Sequence, residues 1–110
     1  MFKLIRDNIP KIVQEKNEVI DFATVENDEF FYQLLLSKLS EEVNEFFISD
    51  DVTELVDILT VIKKIVECKK LTEEEFTELY NLKEKTNGKF DKRYIGFFPD
   101  PQPYNQEYTN

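Results

Sequence analysis

The chain has 110 residues, of which 41% are apolar and 14% aromatic, so it is long enough for one domain with a hydrophobic core. Its 23 acidic and 14 basic residues give a formal net charge of -9, which disfavours direct binding to the phosphate backbone of nucleic acids. The absence of His and the presence of a single cysteine, Cys68, nearly exclude zinc sites, an internal disulfide and Ser/His or Cys/His nucleophiles.

The first third of the chain predicts a short helix followed by a connector. Asp7 or Asn8 can cap a helix that has Pro10 in its first turn and stops near Asn17. Residues 18–27 are rich in β-branched and aromatic side chains with weak periodicity, which fits an extended connector or one short strand. The opening MFKLIRDNIP lacks the apolar run of a signal peptide, and no segment is long enough to span a membrane, so we expect a cytoplasmic protein without a membrane partner.

A long second helix is predicted from Asn27 or Asp28 to about Ser49. Its buried stripe follows the helical period and consists of Leu35, Leu39, Val43 and Phe46. The stretch FFYQLLL, residues 30–36, is apolar on nearly every side, which predicts cover from more than one direction. In so small a domain we expect the second cover to be another subunit.

Two further helices and an irregular end complete the predicted fold. The third helix runs from about Asp51 to Lys69, with an inner face of Leu55, Ile58, Leu59, Ile62, Ile65 and Val66. The fourth begins at Thr72, which forms a capping-box pattern with Glu75, and ends at the stop signal Asn87-Gly88. We therefore predict an all-α helical bundle of about four helices, completed by oligomerisation, over residues 1–97, and an irregular tail over residues 98–110.

The most unusual feature is the acidic stretch SEEVNEFFISDDVTELVDIL, residues 40–59, which has seven carboxylates and no basic residue. A short turn near Ser49 makes its two helices antiparallel neighbours. Reflection about that turn places Glu42 level with Asp57 and Glu45 level with Glu54. The spacing of three puts Glu42 and Glu45 on one face of the second helix, and it puts Glu54 and Asp57 on one face of the third.

Four facing carboxylates repel one another unless a cation lies between them, and carboxylate oxygens suit Mg²⁺ or Mn²⁺. On a helical wheel Glu54 falls inside the apolar arc, which is unusual for a solvated acid. The alternative for Glu54 alone is a helix start, because Asp51-x-x-Glu54 resembles a capping box and acids suit a first helical turn.

The acidic residues also resemble a known family, the all-α nucleotide pyrophosphohydrolases of the MazG-like and phosphoribosyl-ATP pyrophosphohydrolase-like group. Its E-E-x-x-E helix is similar to Glu41-Glu42-Val43-Asn44-Glu45, and its E-x-x-D helix to Glu54-Leu55-Val56-Asp57. The opening KLIRDNIPKIV and the stretch KEKTNGKFDKRYIGF resemble two further family motifs, so the resemblance covers residues 3 to about 97.

The resemblance implies a Mg²⁺-dependent enzyme that cleaves free nucleoside triphosphates between the α and β phosphates, releasing a monophosphate and pyrophosphate. Its implied metal ligands are Glu42, Glu45, Glu54 and Asp57, with Glu42 or Glu45 as the catalytic base. Its implied phosphate contacts are Lys3, Arg6, Lys83, Lys92 and Arg93.

Family members are commonly dimers or tetramers, which leads us to expect a homodimer or homotetramer. For any one lysine of the implied set a plain surface position is the simpler interpretation, and the planar guanidinium makes Arg6 and Arg93 better candidates. The aromatic residues Phe30, Phe31, Phe46 and Phe47 include a candidate for base stacking, although core or interface packing is simpler for each.

Two alternative functions remain open on the sequence. One is a catalytically inactive acidic helical module that binds a basic protein through the same hairpin. The other is hydrolysis of phosphoribosyl-ATP, which uses the same site on a different substrate.

Overall fold

The computed structural model describes residues 2–99, and all regular secondary structure in this range is helical. Helix α1 spans Ile9–Glu15, α2 Asp28–Ser49, α3 Val52–Cys68 and α4 Glu73–Asn87. The prediction of an all-α fold with four helices is confirmed for these residues. Residues 18–27 form neither helix nor strand, so the connector is confirmed and the alternative of a short strand is wrong.

The ends of α2 and α4 lie where the sequence places their caps, whereas the Asn8 side chain makes no capping hydrogen bond at the start of α1. The Asn27 side chain accepts a hydrogen bond from the Phe30 amide at 2.8 Å and starts α2. Thr72 and Glu75 form a complete capping box at the start of α4. Gly88 ends α4 with a positive φ of 81°, a conformation that glycine adopts without steric cost.

A two-residue turn joins α2 to α3 and makes them an antiparallel hairpin. Asp50 takes the left-handed conformation with φ 54°, and the Asp51 carboxylate accepts the Thr53 amide at 2.9 Å to cap α3. The Asp51 amide donates to Ser49 Oγ at 3.2 Å. In a capping box that amide would bond Glu54, so the Glu54 side chain is left for another use.

The hairpin core is small and lies between α2 and α3. Leu35 and Val61 are its buried apolar residues, at 4% and 8% exposed. The other predicted stripe residues of α2, which are Leu39, Val43 and Phe46, are half-buried. Hydrophobic packing between the two helices therefore fixes the spacing of the side chains that they carry toward each other.

One face of α3 differs from the prediction. Leu55 and Leu59, expected on the inner face, are exposed, and together with Val52 and Val56 they form an apolar stripe at helical spacing. The physical reason is geometric, because α2 contacts only one arc of α3 and the predicted inner face spans a wider arc. We call these four residues the α3 stripe.

The FFYQLLL stretch of α2 is only partly covered. Leu35 is buried, whereas Phe30 and Leu36 are exposed and Phe31 and Leu34 are half-buried. Burial on all sides is therefore not reached within the described residues, and its completion by another subunit stays a prediction.

The chain divides into two compact units, Met1–Leu71 and Thr72–Asn110. The first contains α1 to α3. The second contains α4, followed over residues 89–99 by a turn and backbone without regular secondary structure. Most of the predicted tail, residues 98–110, lies outside the described residues. The predicted boundary at residue 97 and the joining of all four helices into one bundle stay predictions.

Candidate metal centre

Three carboxylates from the two hairpin helices converge at one point. Glu42 comes from α2, and Glu54 and Asp57 come from successive turns of α3. One carboxylate oxygen of each residue lies within 4.8 Å of one oxygen of each of the other two. We call these three residues the carboxylate group. The antiparallel hairpin brings them together because all three project toward the facing helix at similar distances from the turn.

Glu42 is the buried member of the group, at 6% exposed. Its Oε1 forms an ion pair at 3.2 Å with Nζ of Lys38, which lies one helical turn earlier. Its Oε2 is buried and has no hydrogen-bond partner among the described residues. A buried carboxylate oxygen without a donor is costly, so this atom calls for a cation or a proton.

Glu54 has the most perturbed environment. Its Oε2 is also buried without a hydrogen-bond partner among the described residues. Burial, the adjoining Glu42 carboxyl, and the negative charges of Glu45, Glu42 and Asp57 together raise the pKa of Glu54 to about 7. Near neutral pH this carboxyl is poised between its two forms, as expected for a site that gains a positive charge on binding.

The raised pKa of Glu54 predicts how stability depends on pH. The folded value of about 7 exceeds the ordinary value of 4.5, so the folded protein binds more protons between these limits. The Glu54 carboxyl therefore stabilises the fold most at the acidic end of this pH window. The free energy of unfolding falls as the pH rises through the window. Urea unfolding in a metal-chelating buffer, between about pH 5 and pH 8, measures the slope.

The Glu54→Gln variant should lose this part of the pH dependence, because an amide does not titrate in this range. Glu26→Gln is the matched control, since Glu26 is exposed on the connector and lies outside the carboxylate group. A Glu54→Gln variant that kept the full slope of the natural protein would contradict the prediction.

Asp57 is held by the N-terminal segment, residues 2–8, which precedes α1. Arg6 Nη2 donates to Asp57 Oδ1 at 2.7 Å and to Thr60 Oγ1 at 3.1 Å. The Thr60 hydroxyl donates in turn to the Val56 carbonyl at 3.0 Å, which orients it to accept from Arg6. The arginine predicted to contact substrate thus lies directly beside the carboxylate group.

A second cation reaches α2 from the same segment. Lys3 Nζ pairs with Glu41 Oε1 at 2.8 Å, and Lys38 approaches Glu41 Oε2 at 3.5 Å. The hydrogen bond to Glu41 and its charge raise the pKa of Lys3, and the same bond lowers the pKa of Glu41. Glu41 therefore serves as an ionised counter-charge for two lysines rather than as a free surface acid.

The fourth predicted ligand, Glu45, is placed differently. It is half-buried on α2, and the group of three mutually close carboxylates does not include it. It is near enough that its charge raises the pKa values of both Glu54 and Lys3. Its predicted roles as ligand and base stay predictions.

Three predicted substrate contacts lie in the second unit. Lys83 is exposed on α4, and Lys92 Nζ lies 5.9 Å from the centre of the Tyr94 ring. Arg93 has a positive φ of 58°, and its amide donates to the Phe90 carbonyl at 3.2 Å. Their predicted contact with phosphate stays a prediction.

Sequence reasoning overlooked two residues of this site, Lys38 and Thr60. Lys38 was detectable, because a lysine four residues before Glu42 lies one turn away on the same helical face. Thr60 carried no such signal, since its role depends on Arg6, which is 54 residues earlier in the chain.

The donor set suits a hard divalent cation. It consists of carboxylate oxygens alone, which are the ligands that Mg²⁺ and Mn²⁺ favour. The buried oxygens Glu42 Oε2 and Glu54 Oε2, which lack donors within the described part of the chain, fit the same conclusion. The three side chains can therefore hold a metal ion.

None of the helices described between residues 2 and 99 is long and apolar enough to cross a membrane. Comparisons of the chain with protein-family models, with curated proteins and with solved structures give no match. The function is therefore inferred from the residues and their geometry.

Proposed function

We propose that the chain is a Mg²⁺-dependent nucleotide pyrophosphohydrolase that acts on free nucleoside triphosphates in the cytoplasm. One observation carries the proposal: three carboxylates converge within 4.8 Å, and two of them have buried oxygens with no hydrogen-bond partner among the described residues. The mutual repulsion in a cluster of this kind destabilises the fold unless a bound cation offsets the negative charge, and such a cost is typical of functional sites. The resemblance of the acidic motifs to pyrophosphohydrolases supports the same conclusion.

Glu42, Glu54 and Asp57 would hold the metal, with Glu45 beside them. A bound Mg²⁺ neutralises phosphate charge and lowers the pKa of coordinated water. The carboxylates hold that charge in a fixed place, because Glu42 and Glu54 are anchored on packed helices.

In the proposed reaction, the oxygen of a water molecule attacks the α-phosphorus, and the bond between that phosphorus and the oxygen bridging to the β-phosphorus breaks. Pyrophosphate leaves with the bond's electron pair, and the proton of the attacking water passes to a carboxylate. Glu45 is our choice for this base, because it lies near the group without belonging to it. Glu42 is the second choice.

The cations of the N-terminal segment would receive the phosphates. Arg6 offers a planar fork of donors beside Asp57, and a guanidinium of this geometry suits phosphate oxygens. Lys3 lies on the same segment next to Glu41. Lys83, Lys92 and Arg93 stay the further phosphate contacts that the resemblance implies.

A pyrophosphate-release screen tests the proposal. Canonical and modified nucleoside triphosphates, and phosphoribosyl-ATP as a separate arm, are each incubated with the protein and Mg²⁺. We expect release that requires Mg²⁺ and falls sharply in Glu45→Gln and Asp57→Asn, whereas Glu26→Gln retains it. Release from no nucleotide, or full rates in both site variants, would remove the enzymatic interpretation.

We also propose that the protein works as a homodimer or homotetramer. The α3 stripe exposes four apolar side chains in register on one helix face, and Val56 is 59% exposed. An apolar helix face of this length favours association with a second copy. Sedimentation equilibrium on the natural protein and on Val56→Lys measures this: the natural protein should associate, and the variant should do so more weakly.

A further inference from the structure

A cavity of about 590 Å³ lies along the hairpin, beside the carboxylate group. The N-terminal segment forms one wall, and α2 and α3 form the others. Its apolar lining consists of Leu4, Ile5, Ile9, Phe31, Leu35 and Val61. The volume is within the usual range for small-molecule sites, about 300 to 1,000 Å³.

The cavity has a direction that follows from the helices. On α2 its lining residues succeed one another as Phe31, Leu35, Lys38 and Glu42, one face of the helix. From Phe31 to Glu42 is eleven residues, or about 16 Å along the axis. One end therefore has the Phe31 ring, with Glu67 of α3 beside it, and the other end is the carboxylate group.

Positive charge lies between these two ends. The lining includes Arg6, Lys38, Lys63 and Lys64, of which Arg6 contacts Asp57 and Lys38 contacts Glu42. Lys64 pairs with Glu67 at 3.1 Å on the exposed face of α3, an ion pair that a phosphate can replace at little cost. A ligand that matches this arrangement has an uncharged planar group at the Phe31 end of the cavity and anionic groups next to the cations.

We propose that this cavity holds the nucleoside part of a nucleotide, with the base against the Phe31 ring and the phosphates directed toward Arg6, Glu42 and Asp57. The inference rests on the proposed function for the identity of its ligand. It assigns to Phe31, and not to the other aromatic residues of α2, the contact with the base, because Phe31 lines the cavity whereas Phe30 packs edge-on against Phe2 with ring centres 5.8 Å apart.

Binding of nucleosides without phosphate or metal tests the cavity separately from the reaction. The probes are adenosine, guanosine, cytidine and thymidine, and the readout is methyl NMR of the natural protein. We expect saturable shifts at the methyl groups of Ile9, Leu35 and Val61, with smaller changes at Leu59 of the α3 stripe. No saturable shift, or equal shifts at Leu59, would overturn the inference.

The second measurement compares Phe31→Leu with Phe30→Leu, the same substitution one residue away and outside the lining. With a nucleoside triphosphate and Mg²⁺, Phe31→Leu should lower kcat/KM by about 5- to 160-fold, the range of lost base stacking, mainly through KM. Phe30→Leu should leave kcat/KM close to that of the natural protein. Inhibition by inorganic triphosphate, which has no base, should be equal in all three proteins.

The outcomes separate the two proposals. Nucleoside shifts without pyrophosphate release would support the cavity and remove the proposed reaction. Pyrophosphate release with no nucleoside shifts and no effect of Phe31→Leu would support the reaction and remove the cavity assignment. Equal losses of nucleotide turnover and triphosphate inhibition in Phe31→Leu would show a general folding defect, and the nucleoside shifts of the natural protein then decide.

Discussion

Replacing Leu35 with alanine is expected to lower the free energy of unfolding by about 2 to 5 kcal/mol. Leu35 is 4% exposed and is one of only two apolar side chains buried in the described part of the chain. The substitution removes buried methyl groups and leaves a void between α2 and α3 that the helices can close only in part. A domain stability of about 5 to 15 kcal/mol makes this a large fraction of the total.

Urea unfolding followed by circular dichroism measures the change. Leu36→Ala is the matched control, because it makes the same truncation at the next residue of α2, which is 38% exposed. We expect Leu36→Ala to cost about 1 kcal/mol or less. Equal losses in the two variants would contradict a core centred on Leu35.

Replacing Glu42 with glutamine is expected to reduce Mg²⁺-dependent pyrophosphate release by about 10²- to 10⁴-fold. Glutamine keeps the shape of the side chain but removes the charge that would bind the cation. The fold should survive, because Lys38 keeps its contact with Glu41 at 3.5 Å and repulsion among the three carboxylates is relieved. Loss of activity with retained stability is the expected signature.

Single-turnover rates and urea unfolding without metal measure the two effects of Glu42→Gln together. Glu26→Gln makes the same change on the exposed connector and should alter neither. If Glu42→Gln lost stability and activity in parallel, the carboxylate would be a structural partner of Lys38 rather than a ligand. Full activity would exclude Glu42 from the site.

The helices and their ends could be predicted from the sequence because their signals are local. Asn27, Thr72 with Glu75, and Asn87-Gly88 act within one turn of the residues they cap. The facing of Glu42 and Asp57 was also predictable, since a two-residue turn fixes the register of an antiparallel hairpin.

The parts that escaped prediction depend on contacts between distant residues. Arg6 reaches Asp57 and Thr60 across more than 50 residues, and the N-terminal segment that carries it has no periodicity to show where it lies. The exposure of Leu55 and Leu59 also has a non-local cause, because hydrophobic pattern alone does not say how many neighbours a helix has. The apolar cavity follows from the same placement of the N-terminal segment.

The position of Glu45 illustrates the limit of a register argument. Its pairing with Glu54 was predicted from equal distance to the turn, yet Glu42, Glu54 and Asp57 are the three that converge. Register gives height along the hairpin but not the direction of each side chain, which depends on the turn of the helix at that height. Glu42 projects between the helices and is buried, while Glu45 is half-buried.

A Mg²⁺ titration of thermal unfolding tests the metal centre most directly, using the natural protein, Asp57→Asn and Glu26→Gln. If the cluster binds the cation, the natural protein and Glu26→Gln should be stabilised progressively, by about 2.7 kcal/mol at a hundred times the dissociation constant. Asp57→Asn should show little stabilisation. Weak screening, equal in all three proteins and matched by Na⁺ at the same ionic strength, would contradict a metal site and favour an acidic surface that binds a basic protein.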